Sequence, residues 1–146
     1  MIFDSQAIFS SAQALAAVAG SDVISTNYLD TGNVYDEGIG EVPRILVRTK
    51  DAVTSGGAAT VQFILQTATD SAFTSPQECP LTGVRALAAL GANTVQFNGP
   101  PPTGLLRYWR VVARVAGANT TGGTMDAELV ATGDATQYVP KNFTAD

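Results

Sequence analysis

Apolar and polar residues alternate one for one along several segments of this chain, which is the period of a half-buried β-strand. The alternating segments are 44–50, 60–67, 94–98, 105–115 and 124–131, and 22–29 adds a sixth stretch rich in β-formers. Clusters of Gly, Pro and Asn separate them, as in 98–102 and 117–123. Because no strand–helix–strand alternation is present, the pattern predicts an antiparallel β-sandwich or barrel.

The segment 105–115 contains the only tryptophan, and its alternation assigns each side chain to a face. Trp109 falls in an apolar row with Val111, whereas Tyr108, Arg110 and Arg114 fall on the opposite face. A stacking surface for nucleic acid or sugar would need Tyr108 and Trp109 on the same face. We therefore interpret Trp109 as a core residue flanked by arginines.

The short connection at 117–123 predicts that segments 105–115 and 124–131 form a β-hairpin. With the polar faces together, this pairing sets Arg114 opposite Asp126, or Arg110 opposite Glu128, according to register. Either ion pair would have a structural role.

Two segments fit more than one structure. Residues 8–19 carry apolar side chains at helical spacing but lack convincing helix-capping residues, so we expect an extended segment with room for a short helix. The Ala-rich segment 84–90 fits a weak strand or one to two helical turns.

Charged residues are scarce, and their types exclude several functions. They make up 14% of the 146 residues, against roughly 25% in a typical soluble domain. The chain has no histidine and one cysteine, which argues against histidine catalysis, a structural zinc site and a disulfide within the chain. A net charge of -5 predicts no nucleic-acid partner. No apolar stretch is long enough for a membrane span, so we expect no membrane partner.

The remaining candidates for chemistry are weak. Asp126 and Glu128 share a strand face about 6–7 Å apart, but no aromatic sugar cleft lies beside them in sequence. Cys79 has no imidazole to activate it, and the glycines of 38–40 lack the rest of a dinucleotide motif. The acidic cluster at 36–41 matches no calcium loop. We predict no catalytic residue, no cofactor and no metal site, and hence that the protein is not an enzyme.

The order of features along the chain carries more information than any one motif. The strand 59–67 runs into Asp70-Ser71-Ala72-Phe73, and a Pro-Pro-Thr-Gly turn at 101–104 precedes Arg107-Tyr108-Trp109-Arg110. Gly-Gly-Thr-Met-Asp-Ala-Glu-Leu-Val at 122–130 and Gln-Tyr-Val-Pro-Lys-Asn-Phe-Thr at 137–144 follow. Over nearly its whole length the chain resembles the capsid cement, or decoration, proteins of tailed bacteriophages, of the type found on short-tailed Bordetella phages.

The resemblance implies a single jelly-roll β-sandwich over residues 1–146, with extended arms at 1–20 and 134–146. It also implies a protein on the outer surface of the phage head that bridges major capsid protein subunits, associates with itself as a dimer or trimer, and needs no cofactor or catalysis. Because the arms lack core-strand periodicity but keep apolar anchors, we predict that they make the capsid or subunit contacts. The alternative is that both arms pack on their own sandwich. The anchors are Phe3, Ile8, Phe9, Tyr138 and Phe143.

Two other classes fit the same sequence. One is a different phage structural subunit, from the head–tail junction or a fibre. The other is a carbohydrate-binding β-sandwich module, which would expose an aromatic platform. Copy number in the virion distinguishes the first alternative, and glycan titration distinguishes the second.

Overall fold

The computed structural model describes residues 7–32 and 43–130, and β-strands are the main secondary structure of these ranges. The strands are β1 (Ile8–Ala14), β2 (Asp22–Ile24), β3 (Leu29–Asp30), β4 (Arg44–Ser55), β5 (Thr60–Ala68), β6 (Gln77–Pro80), β7 (Arg85–Ala86), β8 (Thr94–Gly99), β9 (Tyr108–Ala116) and β10 (Thr120–Val130). A 3-10 turn at Leu87–Ala89 follows β7, so the segment 84–90 combines both expected structures.

The strands form two antiparallel sheets. Sheet I has the order β1-β10-β4-β8, and sheet II has the order β2-β9-β5-β6, with β3 also pairing with β9 and β7 with β5. If β2 and β3 are counted as one strand, and β6 and β7 as another, the sandwich has eight strands in the described residues. Then the first strand pairs with the last, the second with the seventh, the third with the sixth and the fourth with the fifth. This nested pairing, folded over into two sheets, is the jelly roll, and the predicted all-β sandwich is confirmed.

The core lies between the inward faces of the two sheets. Trp109 and Val111 of β9 are fully buried there, opposite Val47 and Met125 of sheet I, which are also fully buried. The indole Nε1 of Trp109 donates a hydrogen bond to the carbonyl oxygen of Leu106 at 2.5 Å, so the polar atom of the largest core side chain is satisfied. The face assignment made from the alternation of 105–115 is therefore confirmed.

The predicted hairpin between segments 105–115 and 124–131 is wrong. Strand β9 pairs with β5 in sheet II, whereas β10 pairs with β1 and β4 in sheet I. The short turn after Gly117 carries the chain across the sandwich from one sheet to the other. Local alternation and a turn cannot distinguish such a crossing from a hairpin, because both leave the same sequence pattern.

The N-terminal segment is a strand of the sandwich. Residues Ile8–Ala14 form β1, which pairs with β10 at the edge of sheet I, and Leu15 follows fully buried. A helix over 8–19 is not possible at Ala12, because its φ is 48° and its N–H donates a 2.6 Å hydrogen bond to Asp126 Oδ1. Residues 8–14 thus have the expected extended conformation but belong to the sheet, and residues 1–6 of the predicted arm lie outside the described residues.

Candidate functional site

The predicted contact residues fall in different environments. Phe9 is 1% exposed and lies in the core, so in the folded chain it is a packing residue, as expected if this part of the arm packs on its own sandwich. Ile8 is half-buried on the outer face of sheet I, opposite Glu128 of β10, and remains a contact candidate. Phe3, Tyr138 and Phe143 lie outside the described residues, as does the predicted tail 134–146.

The two motifs that carried the family resemblance meet on the outer face of sheet II. Tyr28 packs edge-on against Phe73 (6.0 Å between ring centroids) and against Tyr108 (5.9 Å). The Arg110 guanidinium lies 4.2 Å from the centre of the Phe73 ring, and that of Arg107 lies 5.0 Å from the Tyr108 ring. We call these five residues the arginine–aromatic cluster. The sequence shows each motif separately, but it does not show that they are in contact, because they lie far apart along the chain.

A tightly bonded loop holds Phe73 in this cluster. Asp70 Oδ1 accepts hydrogen bonds from the Ala72 and Thr74 N–H groups (3.1 and 3.3 Å) and from the Thr74 hydroxyl (3.1 Å). Phe73 itself has φ 52°, a left-handed conformation that is unfavourable for a bulky side chain. The acidic residue of the Asp-Ser-Ala-Phe motif therefore stabilises the strained turn that directs the ring under Arg110.

Arg114 ties three strands together beside this cluster. Its guanidinium bonds Asp22 on β2 (Nε to Oδ1, 2.8 Å) and Glu78 on β6 (Nη2 to Oε1, 2.7 Å). Between these groups, Val112 and Ile64 are buried although they face outward from the sheet. The side chains of this ion-pair network thus cover an apolar stripe. The predicted pairing of Arg114 with Asp126 is wrong, because the two residues lie on opposite faces of the sandwich.

Arg110 differs from its neighbours in having no carboxylate partner among the described residues. Its Nε donates to the neutral Gln66 Oε1 at 2.8 Å, and its terminal nitrogens have no hydrogen-bond partner there. Burial lowers the pKa of Arg110, although an arginine stays protonated at any physiological pH. Asp30, in contrast, pairs with Arg107 (2.7 Å), and that hydrogen bond lowers the pKa of Asp30 to about 2. The cluster therefore presents on an aromatic wall a cation that no carboxylate of the described residues pairs with directly, although the charge of Asp22 acts on it from a longer distance.

A cleft on the outer face of sheet I forms the second surface. It has a volume of about 260 Å³, and we call it the β1–β10 cleft. The residues that line it are Ile8, Ser10, Ser11, Arg48, Asp126 and Glu128.

Hydrogen bonding within the cleft is uneven. Asp126 is saturated: it accepts the Ala12 N–H and pairs with Arg48 (Nη2 to Oδ2, 2.7 Å). Glu128 accepts no hydrogen bond from the described residues, and burial raises the pKa of its carboxyl, Arg48 opposing and Asp126 adding to that rise. The Ser10 hydroxyl is buried and has no partner either. The sequence shows only that Asp126 and Glu128 share a strand face. The positions of β1 and β4 beside β10 decide that Asp126 is hydrogen-bonded and that Glu128 is not.

The substitution Glu128→Gln is expected to stabilise the protein at pH 7 by about 0.5 kcal/mol, a value kept small because the side chain is partly exposed to screening solvent. A carboxyl with a raised folded-state pKa binds protons more readily folded than unfolded, so its ionisation destabilises the fold as pH rises through 4.5 and above. The gain should vanish at pH values well below 4.5, where both states are protonated. Urea unfolding at several pH values measures it.

Glu78→Gln is the matched control. The hydrogen bond from Arg114 lowers the pKa of Glu78, so this substitution should lower stability at pH 7. If both variants changed stability in the same direction, the assigned environment of Glu128 would be wrong.

The other sequence candidates gain no chemistry from the structure. Burial raises the pKa of the Cys79 thiol, which disfavours the reactive thiolate. Within residues 7–32 and 43–130, no three Cys, Asp or Glu side chains come together as metal ligands. In the same ranges no helix is long and apolar enough to cross a membrane. The acidic cluster at 36–41 lies outside the described residues.

These features define a class: a jelly-roll β-sandwich with an arginine–aromatic cluster on the outer face of sheet II and a cleft on the outer face of sheet I. The Bbp16 family model matches residues 9–129, well over half of the chain. The chain therefore belongs to the Bbp16 family, a family of Bordetella phage proteins. The comparison with curated individual proteins gave no match.

Proposed function

We propose that this protein is a capsid cement protein, which binds the outer surface of a phage head and bridges major capsid protein subunits. Membership of a phage-protein family supports a role in the virion. A cement protein acts by adding contacts that must be broken before capsid subunits separate. The role requires neither catalysis nor a cofactor.

The observation that carries the proposal is that unsatisfied groups of opposite charge lie on opposite faces of the sandwich. The arginine–aromatic cluster, on sheet II, presents the cation of Arg110, and the β1–β10 cleft, on sheet I, presents the carboxylate of Glu128. A bridging protein needs at least two such surfaces, because it contacts two neighbours at once.

The outer surface away from the cluster and the cleft also has the properties of a surface that neighbouring subunits cover. Arg48, Arg107 and Arg114 are paired with carboxylates of the same chain, which leaves a thinly charged exterior. Large apolar side chains are exposed as well: Val18 (65%), Ile24 (45%), Tyr28 (51%), Val84 (65%) and Val95 (52%). A specific contact buries about 1,600 Å² in all, and many such contacts around a head would strengthen the shell by multivalency.

The test is the protein's abundance in purified virions. A cement protein should give a stained band comparable in molar amount to the major capsid protein, and purified protein should bind heads that lack it. The implied dimer or trimer is measured by sedimentation velocity on the same preparation. A dozen copies or fewer per virion would instead indicate a head–tail or fibre subunit, and would overturn the proposal.

The two surfaces can be tested separately on heads. We expect Arg110→Gln to weaken head binding about 10- to 150-fold, because one buried charge-assisted hydrogen bond is worth about 1.5–3 kcal/mol. Arg85→Gln is the control, since Arg85 carries the same charge at an exposed position of β7. Equal losses for the two variants would point to general electrostatic attraction and away from a specific contact at Arg110.

A further inference from the structure

We propose that Asn98 is a site of spontaneous deamidation and isoaspartate formation, and that Arg44 slows this modification by holding Asn98 in strand β8. The reaction needs no enzyme, and water is its only co-reactant. It is independent of the role in the capsid proposed above.

The sequence around Asn98 favours this chemistry. The chain has six asparagines, and Asn98 is the only one that is followed by a glycine. Because glycine has no side chain, its peptide nitrogen approaches the preceding asparagine without steric hindrance, and its backbone rotates freely. In the unfolded chain, Asn98 is therefore expected to deamidate before the other asparagines.

The reaction joins the peptide nitrogen of Gly99 to the side-chain carbon Cγ of Asn98. The nitrogen loses its proton as the N–Cγ bond forms, the Cγ–Nδ2 bond breaks, and the leaving nitrogen takes up a proton and departs as ammonia. A cyclic succinimide remains, which water opens. Attack of water at Cγ restores the normal chain with an aspartate, whereas attack at the main-chain carbonyl carbon gives isoaspartate, in which the chain runs through Cβ and Cγ.

The strand conformation keeps the reacting atoms apart. Asn98 lies opposite Leu46 in the pairing of β8 with β4, where the backbone is extended and ψ is about +135°. The ring closes only after ψ of Asn98 has rotated well away from this value, because an extended ψ turns the next peptide nitrogen away from Cγ. Since β8 is the outermost strand of sheet I in the described residues, local opening at this edge is the step that permits the reaction.

Arg44 restrains that opening directly. Its Nε donates a hydrogen bond to Asn98 Oδ1 at 2.8 Å, and its Nη2 donates one to the main-chain carbonyl oxygen of Asn98, also at 2.8 Å. One guanidinium thus holds both the side chain and the main chain of Asn98, and both bonds must break before ψ rotates. Hydrogen bonds from a charged donor are roughly twice as strong as neutral ones, so the loss of Arg44 should expose Asn98 to cyclisation more often.

The first experiment compares the intact protein in native buffer and in concentrated guanidinium chloride at the same mildly alkaline pH. Peptide mapping by mass spectrometry measures the rate at each asparagine. We expect modification of the unfolded chain to concentrate at Asn98, and the folded protein to react there at least about tenfold more slowly. A faster reaction at another asparagine of the unfolded chain, or equal rates at Asn98 in both states, would contradict the proposal.

Gly99→Ala tests the succinimide route. In the unfolded chain this substitution should slow modification of Asn98 about tenfold, because the methyl group hinders ring closure. The folded variant is not used, since a Cβ at Gly99 would lie 2.9 Å from Cζ of Phe97. An unchanged rate would exclude attack by the Gly99 nitrogen.

Arg44→Gln tests the restraint in the folded protein, where it should raise the rate at Asn98 about tenfold. Arg48→Gln is the matched control: Arg48 also lies on β4 and donates two hydrogen bonds, but to Asp126, so the rate should stay unchanged. If Arg44→Gln does not fold, Arg44→Lys keeps the charge without the paired geometry and should also raise the rate. A rate that is unchanged or lower without Arg44, or that rises equally in the control, would refute the role of Arg44.

The product should disrupt β8. Isoaspartate adds a carbon to the main chain, so Gly99 would lose its alignment with Ile45 on β4. Asn98→Asp gives the same charge with a normal main chain, and its carboxylate can still accept the hydrogen bonds of Arg44. Hydrogen exchange of β8 amides should therefore be faster in the purified isoaspartyl form than in Asn98→Asp, and equal protection would contradict the predicted disruption.

Discussion

Replacing Phe9 with alanine is expected to lower the free energy of unfolding by about 3–5 kcal/mol. The Phe9 ring is 1% exposed and packs in the core cluster, so its removal leaves a cavity as well as losing buried apolar area. Unfolding in guanidinium chloride measures the effect. The fluorescence of the single, fully buried Trp109 reports on the same core.

Ser11→Ala is the control for this prediction. Ser11 lies two residues further along β1 with its side chain exposed, and its substitution should change stability by no more than about 0.5 kcal/mol. If Phe9→Ala were as mild as Ser11→Ala, β1 would not be part of the cooperative sandwich. The expected loss also means that deleting residues 1–12 would damage the fold. Surface substitutions such as Glu128→Gln are therefore the appropriate tests of capsid binding.

We expect Gly117→Ala to be the second strongly destabilising substitution, by more than about 2 kcal/mol. Gly117 begins the turn that carries the chain from sheet II to sheet I, and its φ is 78°. A Cβ at this position would lie 2.4 Å from the carbonyl oxygen of Ala58, so the backbone itself would have to shift. Thermal and denaturant unfolding measure the loss.

Two other glycines separate the contributions to this effect. Gly104 has the same φ of 78°, but a Cβ there would have no neighbouring atom within 4 Å, so Gly104→Ala should show the conformational cost alone, about 1–2 kcal/mol. Gly56 has neither constraint and should tolerate alanine. The order Gly117, Gly104, Gly56 is the predicted result. A Gly117→Ala variant no worse than Gly104→Ala would mean that the crossing turn is not close-packed.

Much of the fold could be predicted from the sequence because strand faces are a local property. The rows of Trp109 and Val111, and of Val61 and Phe63, follow from period-2 alternation, and all four side chains are fully buried. Strand β6 escaped detection because its four residues, Gln77–Pro80, contain no alternation to read. Residues 8–19 were ambiguous for a related reason: the left-handed backbone of Ala12 and a bulge break the period.

The candidate sites were less predictable, since each depends on which strands are neighbours. Arg110 and Phe73 belong to separate motifs, and their contact exists only because β9 lies beside β5. The pairing of Asp126 with Arg48 requires β10 beside β4, whereas the predicted hairpin set Arg114 opposite Asp126 in one of its two possible registers. These neighbouring strands also determine that the carboxylate of Asp126 is hydrogen-bonded and that of Glu128 is not.

The sequence by itself determined the β-class, the inward face of the long strands and the scarcity of charge that disfavours several kinds of chemistry. These properties depend on residue types and on the spacing of near neighbours. Only the tertiary structure decided that β9 and β10 lie in different sheets, that Phe9 is a core residue and that each outer face carries an unsatisfied charge. The physical reason is that long-range strand pairing is set by the packing of the whole core, and a turn such as that after Gly117 permits either a hairpin or a crossing until that core has formed.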